Sequence, residues 1–201
     1  MERRLAAIFA ADAVGYSRMM SADEIRTLTL LKTARETIID PTLRRYGGKI
    51  FKTMGDGLLA EYPSVVEATK CALEVQLKLM ELAKESPSQQ SITLRIGINI
   101  GDVIAEHDDV YGDGVNVAAR LESIAEQGGV CISDFAHEHI HNRVDAQFID
   151  GGARVLKNIA RPLRVWHWAP RGLSNMELGG ASEASPKVPA KPSIAVMPFI
   201  C

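Results

Sequence analysis

The chain has 201 residues, of which 46% are hydrophobic and 24% are charged, a balance typical of a globular protein with a proper buried core. Its formal net charge of -2 excludes a general electrostatic attraction to nucleic acid or to anionic membranes, so we expect neither as a partner. An anionic ligand would have to be held by local charges or by a metal ion.

The cysteines and the N-terminus both favour a cytoplasmic protein. Cys71, Cys131 and Cys201 form neither a CxxC pair nor a Cys/His ligand pattern, and their odd number argues against a disulfide framework. The apolar run LAAIFAA before Asp12 is at the short edge for a signal peptide and far too short to span a bilayer. We therefore interpret it as a buried strand.

The first third of the chain predicts a strand, a helix and a hairpin. The strand RLAAIFAAD ends at Asp12. A long helix follows, with Ser21 as its N-cap, and the Gly47-Gly48 pair ends it. Apolar residues flank an Asp-Gly pair in KIFKTMGDGLLAEY, which is typical of a hairpin with Asp56 at its tip.

The later segments complete an α+β pattern. SVVEATKCALEVQLKLMELAKES predicts an amphipathic helix, ITLRIGINIGDVIAE a strand with a hairpin return, and GDGVNVAARLESIAEQGG a short helix. VCIS, AQFIDGGARVL and PLRVWHW predict further strands. The order predicts a ferredoxin-like βαββαβ core with additional C-terminal strands and helices.

The composition changes after the last of these strands. We expect residues 1–170 to form one domain and residues 171–192, rich in Gly, Ser, Ala and Pro, to form a flexible linker. The apolar run SIAVMPFIC at 193–201 predicts the first strand of a truncated downstream domain. The alternative is that this run packs back on the main domain.

Two aspartates at predicted strand ends indicate a metal site. In a split βαββαβ fold, the end of the first strand and the hairpin tip are neighbours, which brings Asp12 close to Asp56. Adjacent carboxylates repel each other unless a cation lies between them, and Mg²⁺ prefers carboxylate oxygens and leaves positions open for phosphate. The alternative is that each aspartate only shapes a turn.

The tripeptide GDG occurs twice, and the second copy predicts a different feature. Asp113 precedes a helical pattern and is interpreted as its N-cap. Asn116 and Arg120 are four residues apart and therefore lie on one face of that helix. They are candidate functional residues; the alternative is a polar pair on the surface.

Three ordered motifs resemble the class III nucleotidyl cyclase catalytic domain. They are AADAVGYS after the first strand, KTMGD in the hairpin and DVYGDGVNVAARLE before and within the short helix. The resemblance extends from about Arg3 to Trp168. It implies a ferredoxin-like α+β fold and a lyase that forms a cyclic nucleotide used in intracellular signalling.

The resemblance implies a metal and phosphate site around the first two motifs. Asp12 and Asp56 match the two metal-binding aspartates of the family, and Ala13 would add its backbone carbonyl. The site would hold two Mg²⁺ or Mn²⁺ ions. The loop that follows would bind phosphate oxygens through backbone amides. Its residues are Gly15, Tyr16 and Ser17.

The resemblance also implies that Lys52 and Asp109 select the base. Adenine offers an acceptor at its N1 nitrogen and donors at its amino group. Lysine only donates and an ionised aspartate only accepts, so the pair complements adenine, whereas guanine would leave polar groups mismatched. ATP is therefore the expected substrate and cyclic AMP the expected product.

The remaining matches concern the transition state. Asn116 would orient the ribose and Arg120 would stabilise charge on the α-phosphate. Lys157 resembles a late lysine that contacts the terminal phosphate, although the family often has glycine where this chain has Asn158. The family also implies a homodimer with active sites shared between two chains.

Two other functions are the alternatives to an adenylate cyclase. A catalytically silent, cyclase-like dimerisation or regulatory module would lack a metal aspartate or the arginine, and this chain has both. A related palm-like polymerase or diguanylate cyclase also pairs carboxylates on a similar fold, but the typical Gly-Gly-Asp-Glu-Phe hairpin is absent from the sequence.

Overall fold

Eight strands form one sheet in the computed structural model, which describes residues 2–85, 91–106 and 109–170. They are β1 (Glu2–Ala13), β2 (Lys49–Met54), β3 (Gly57–Tyr62), β4 (Leu94–Glu106), β5 (Asp109–Tyr111), β6 (Val130–Ser133), β7 (Ile149–Arg154) and β8 (Leu163–Trp168). Their order is β2-β3-β1-β4-β6-β8-β7, with β5 paired to β4. The first four strands thus lie as β4-β1-β3-β2, which confirms the predicted ferredoxin-like core.

The helices in the described ranges pack against this sheet. They are α1 (Tyr16–Ala22), α2 (Glu24–Ala34), a π-helical turn (Arg35–Ile39), α3 (Asp40–Arg45), α4 (Val65–Glu85), α5 (Asp113–Ile124) and α6 (Asp134–Ile140). None of them combines the length and the apolar character that a membrane-spanning helix requires. The predicted linker at 171–192 and the predicted strand at 193–201 lie outside the described residues.

The central strand β1 divides the core into two parts. Successive side chains of a strand point to opposite faces. Phe9 is therefore buried in the larger cluster, which includes residues of α2, α4 and α6. Ile8 is buried in a smaller cluster on the other face, together with Ala118 of α5. Both faces of the sheet are covered where β1 runs.

The single long helix predicted after β1 is interrupted at Asp23, and its predicted N-cap is wrong. Asp23 is extended, with φ −159°, and its carboxylate accepts a hydrogen bond from the Arg26 amide at 3.0 Å. Asp23 is thus the N-cap of α2. Ser21 lies inside α1, where its hydroxyl donates to the Ser17 carbonyl at 2.9 Å.

Helix α5 lies directly on β4 because glycines remove side chains from the contact. A Cβ atom on Gly97 would lie 2.2 Å from the Glu122 amide nitrogen and 2.3 Å from the Ala118 carbonyl oxygen. A Cβ atom on Gly101 would lie 2.8 Å from the Gly114 Cα atom. The close approach fixes the height of α5 above the sheet, and with it the positions of the polar residues that α5 carries.

We predict that Gly97→Ala destabilises the domain by about 1–3 kcal/mol, because the added methyl group meets backbone atoms that only a shift of α5 can relieve. The free energy of unfolding in urea measures the effect. Gly47→Ala is the control, since Gly47 has φ +75° and open space around its Cα, so that only backbone strain of about 1 kcal/mol is expected there. A smaller loss for Gly97→Ala than for Gly47→Ala would contradict the close contact.

Candidate active site

The structure places Asp12 and Asp56 at adjacent positions on one edge of the sheet. Asp12 is the penultimate residue of β1, and Asp56 lies in the turn between β2 and β3. The β1–β3 register pairs Ala11 with Leu58, so the turn lies beside the end of β1. A Cβ atom on Gly57 would be 3.4 Å from the Ala11 carbonyl oxygen. The predicted proximity of the two aspartates is therefore present.

Arg95 pairs with Asp12, a contact that the sequence analysis missed. The two residues are opposite each other in the antiparallel β1–β4 register. Arg95 Nε donates to Asp12 Oδ1 at 3.1 Å, and Nη2 donates to Oδ2 at 2.6 Å. Hydrogen bonding to Asp12 raises the pKa of Arg95 above its usual value. The Arg95 guanidinium thus engages both carboxylate oxygens of Asp12, and this bidentate arrangement is the strongest common form of an arginine–carboxylate pair.

Glu122 is a third acidic residue beside this pair. Its Oε1 atom lies 3.6 Å from Arg95 Nη2 and is buried, with no hydrogen-bond partner among the described residues. Burial raises the pKa of Glu122 to about 8; Asp12 and Asp56 contribute in the same direction, and Arg95 opposes them. Three carboxyl groups and one guanidinium thus share a small, partly buried region.

The acidic residues fit a divalent cation that substrate also ligates. No group of three or more His, Cys, Asp or Glu side chains in the described ranges forms a metal site by itself. Mg²⁺, however, is commonly bound by one or two carboxylates together with substrate phosphates. Asp12 and Asp56 supply two carboxylates. The carbonyl of Ala13, the last residue of β1, follows directly after Asp12 in the chain.

The loop after β1 turns sharply into α1. Gly15 has φ +68° and occupies the N-cap position, where the left-handed backbone favours glycine. The amides of Tyr16 and Ser17 lie in the first turn of α1, where backbone N–H groups have no partner within the helix. The Val14 amide, in contrast, donates to the Thr93 carbonyl at 2.8 Å. The loop therefore offers amides directly after the aspartate.

Lys52 and Asp109 come together from β2 and β5. Lys52 Nζ lies 3.8 Å from Asp109 Oδ2, and both side chains are partly exposed. Hydrogen bonds from the Tyr111 hydroxyl and from the Val110 amide, together with the Lys52 charge, lower the pKa of Asp109. Asp109 is thus held as an ionised acceptor beside a donor. Tyr111 is a further residue that the sequence analysis missed.

Asn116 and Arg120 lie on α5, and their side chains form no hydrogen bond or ion pair within the described residues. The predicted N-cap of this helix is wrong. Gly112, with φ 131°, occupies the N-cap position. Asp113 is the first residue of the helix, where its negative charge interacts favourably with the positive N-terminal end of the helix dipole. Glu122, two residues after Arg120, faces away from it.

Lys157 lies in an exposed turn after β7, where Asn158 has φ +63°. The Ile159 amide donates to the Leu156 carbonyl at 3.1 Å and closes this turn. Asparagine is among the few residues other than glycine that readily adopt the left-handed region. Asn158 therefore preserves a turn that glycine would also allow.

The comparisons with known proteins agree with these motifs. The sequence model of the adenylate and guanylate cyclase catalytic domain matches residues 3–158. "Putative adenylate cyclase 3" of Rhizobium meliloti is 47% identical over 199 residues, which cover 99% of this chain and 34% of that protein. An adenylate cyclase of Streptomyces coelicolor is 35% identical over 144 residues, which cover 71% of this chain and 36% of the relative.

A solved structure supports the same relationship. The crystal structure of an adenylate/guanylate cyclase/hydrolase from Silicibacter pomeroyi shares 48% identity, covers 84% of this chain and 98% of its own, and superposes with a TM-score of 0.80. The chain spans about a third of the length of the two curated relatives.

We predict that Tyr111→Phe raises the pKa of Asp109, because it removes a hydrogen bond that stabilises the ionised carboxylate. A titration followed by carboxyl ¹³C NMR measures this pKa. Lys52→Met is the comparison and should raise it less, since Lys52 contributes less than Tyr111 to the lowered value. An unchanged pKa in Tyr111→Phe would remove the tyrosine from the site.

Proposed function

The chain belongs to the adenylate and guanylate cyclase catalytic domain family, and from that premise we propose that it converts ATP into 3′,5′-cyclic AMP and pyrophosphate. The observation that carries the choice of ATP is the pairing of Lys52 with Asp109 at 3.8 Å. The lysine donates to the acceptor nitrogen of adenine, and the ionised aspartate accepts from its amino group. Guanine reverses these demands.

The metal site proposed for this reaction consists of Asp12, Asp56 and the Ala13 carbonyl. These groups would hold two Mg²⁺ or Mn²⁺ ions, whose chemistry when bound is to lower the pKa of the attacking hydroxyl and to neutralise the triphosphate. The amides at the start of α1 bind phosphate oxygens beside the aspartates. Their residues are Gly15, Tyr16 and Ser17.

The residues of α5 act on the reacting atoms in this proposal. The ribose 3′-hydroxyl attacks the α-phosphorus, and pyrophosphate leaves. Arg120 stabilises the charge that develops on the α-phosphoryl oxygens, and Asn116 orients the ribose. Lys157 contacts the terminal phosphate. The absence of competing ion pairs for Arg120 among the described residues supports this role, since its guanidinium is available to an anion.

A homodimer completes each site in this proposal. The aspartates lie with Arg95 at the end of β1, whereas Lys52 pairs with Asp109 between β2 and β5. Within the described residues, no hydrogen bond or ion pair joins one group to the other. A two-fold dimer would bring the aspartates of one chain against the base-selecting and α5 residues of the other, twice.

Base selection is tested by Lys52→Glu combined with Asp109→Cys. The two changes reverse the hydrogen-bonding demand, so we expect a large loss of cyclic AMP formation from ATP and some gain of cyclic GMP formation from GTP. Both products are measured with Mn²⁺ by chromatography. Asp145→Ala, in an exposed loop after α6, is the control and should retain the ATP preference. An unchanged preference in the double variant would show that the pair does not read the base.

The shared site is tested by mixing two inactive chains. Asp56→Ala and Arg120→Ala should each be inactive alone, because every homodimeric site lacks one required group. Random exchange makes half of the dimers heterodimers, each with one intact site, so activity should recover to about a quarter of the wild-type value.

The control mixture combines Asp12→Ala with Asp56→Ala, which remove groups from the same side of the site and should not complement each other. Absence of recovery in the first mixture, with heterodimers demonstrated by mass spectrometry, would exclude the shared site.

A further inference from the structure

We propose that Glu122 is a positioning residue that receives the Arg95 guanidinium from Asp12 when a divalent cation binds the Asp12 carboxylate. The inference rests on the proposed metal site and concerns how that site changes from its metal-free arrangement.

Arg95 and a metal ion compete for the same atoms. The guanidinium engages both oxygens of Asp12, at 3.1 Å and 2.6 Å. A cation bound to either oxygen would stand within a few ångströms of the Arg95 charge, and like charges at that distance in a partly buried site repel each other strongly. A movement of Arg95 away from one oxygen would reduce this repulsion and favour loading of the site.

Glu122 offers an alternative carboxylate acceptor. Its Oε1 atom is 3.6 Å from the same Nη2 atom that donates to Asp12, so a movement of roughly 0.7 Å would create a hydrogen bond of ordinary length. That oxygen is buried and has no hydrogen-bond partner in the described ranges, whereas buried polar atoms are normally paired. The unpaired oxygen is accounted for if it serves a second position of the guanidinium.

The other contacts of Arg95 favour movement toward α5. Its Nη1 atom donates to the carbonyl of Ser123, the residue after Glu122, at 3.4 Å. The guanidinium therefore already bridges β1 and α5, and it can pivot on that carbonyl without leaving the cluster. The close packing of α5 on Gly97 keeps Glu122 within reach.

Binding of Mn²⁺ to the nucleotide-free full chain, measured by electron paramagnetic resonance of the free ion, tests the exchange. The variants are Arg95→Gln, Glu122→Gln and the double variant, with Glu126→Gln, at an exposed position two residues after the end of α5, as the control. Arg95→Gln should bind Mn²⁺ more tightly than wild type, because the competitor is removed. Glu122→Gln should weaken binding about fivefold in the wild-type background and much less when Arg95 is absent, since residues in contact are coupled. Glu126→Gln should change little.

Equal losses for Glu122→Gln in both backgrounds would overturn the exchange, because Glu122 would then act on the metal directly or through its charge alone. The metal site itself would stand in that case. If Asp12→Asn binds Mn²⁺ as tightly as wild type, the site does not use Asp12, and both the metal proposal and the exchange are wrong.

A second measurement needs no change at Glu122. Addition of Mg²⁺ should shift the ¹³C resonance of the Glu122 carboxyl clearly more in the wild-type chain than in Arg95→Gln. A shift of the same size in both proteins would contradict a guanidinium exchange.

Discussion

The pairing of β1 with β4 is the constraint on which the rest of the structure depends. The two strands run antiparallel from Glu2 opposite Ala105 to Ala13 opposite Leu94. This register buries β1 on both faces and presents the glycines of β4 to α5. It also places Arg95 opposite Asp12. A shift of one residue would turn every side chain of one strand to the other face and would separate that ion pair.

Electrostatic repulsion between carboxylates explains why the acidic cluster also contains an arginine. Asp12, Asp56 and Glu122 lie near one another, and a partly buried group of carboxyls is unfavourable unless it is neutralised. Arg95 neutralises part of the charge in the protein alone, and protonation of Glu122, whose pKa is raised to about 8, neutralises more. The protein alone therefore neutralises part of the charge of the cluster and leaves the rest for the cation that we propose to bind there.

The sequence predicted the parts of this site that follow from local pattern. Asp12 ends an apolar run and Asp56 occupies an Asp-Gly turn, and in the βαββαβ topology these two places are neighbours. Lys52 and Asp109 required the family resemblance, since no local pattern links residues of two strands so far apart in the chain. The fold class followed from the order of elements.

The residues that were missed depend on tertiary structure. Arg95 meets Asp12 across 83 positions of sequence, and only the β-sheet register defines that contact. Glu122 lies close to this Arg95–Asp12 pair because glycines of β4 let α5 approach the sheet. The N-cap at Asp23 was missed because Ser21 satisfies the same local rule, and the choice between them is made by where α1 ends.

The basic residues of the proposed site differ in whether the chain itself supplies an acidic partner. Arg95 is balanced by Asp12 and Lys52 by Asp109 within the chain. Arg120 and Lys157 have no such partner among the described residues, although ion pairing is available to other basic side chains in the same domain. Neither cation therefore gains folding stability from an ion pair within the described residues. If the proposed reaction is correct, the phosphate chain of the substrate would supply the negative charge that the described residues do not provide at these two positions.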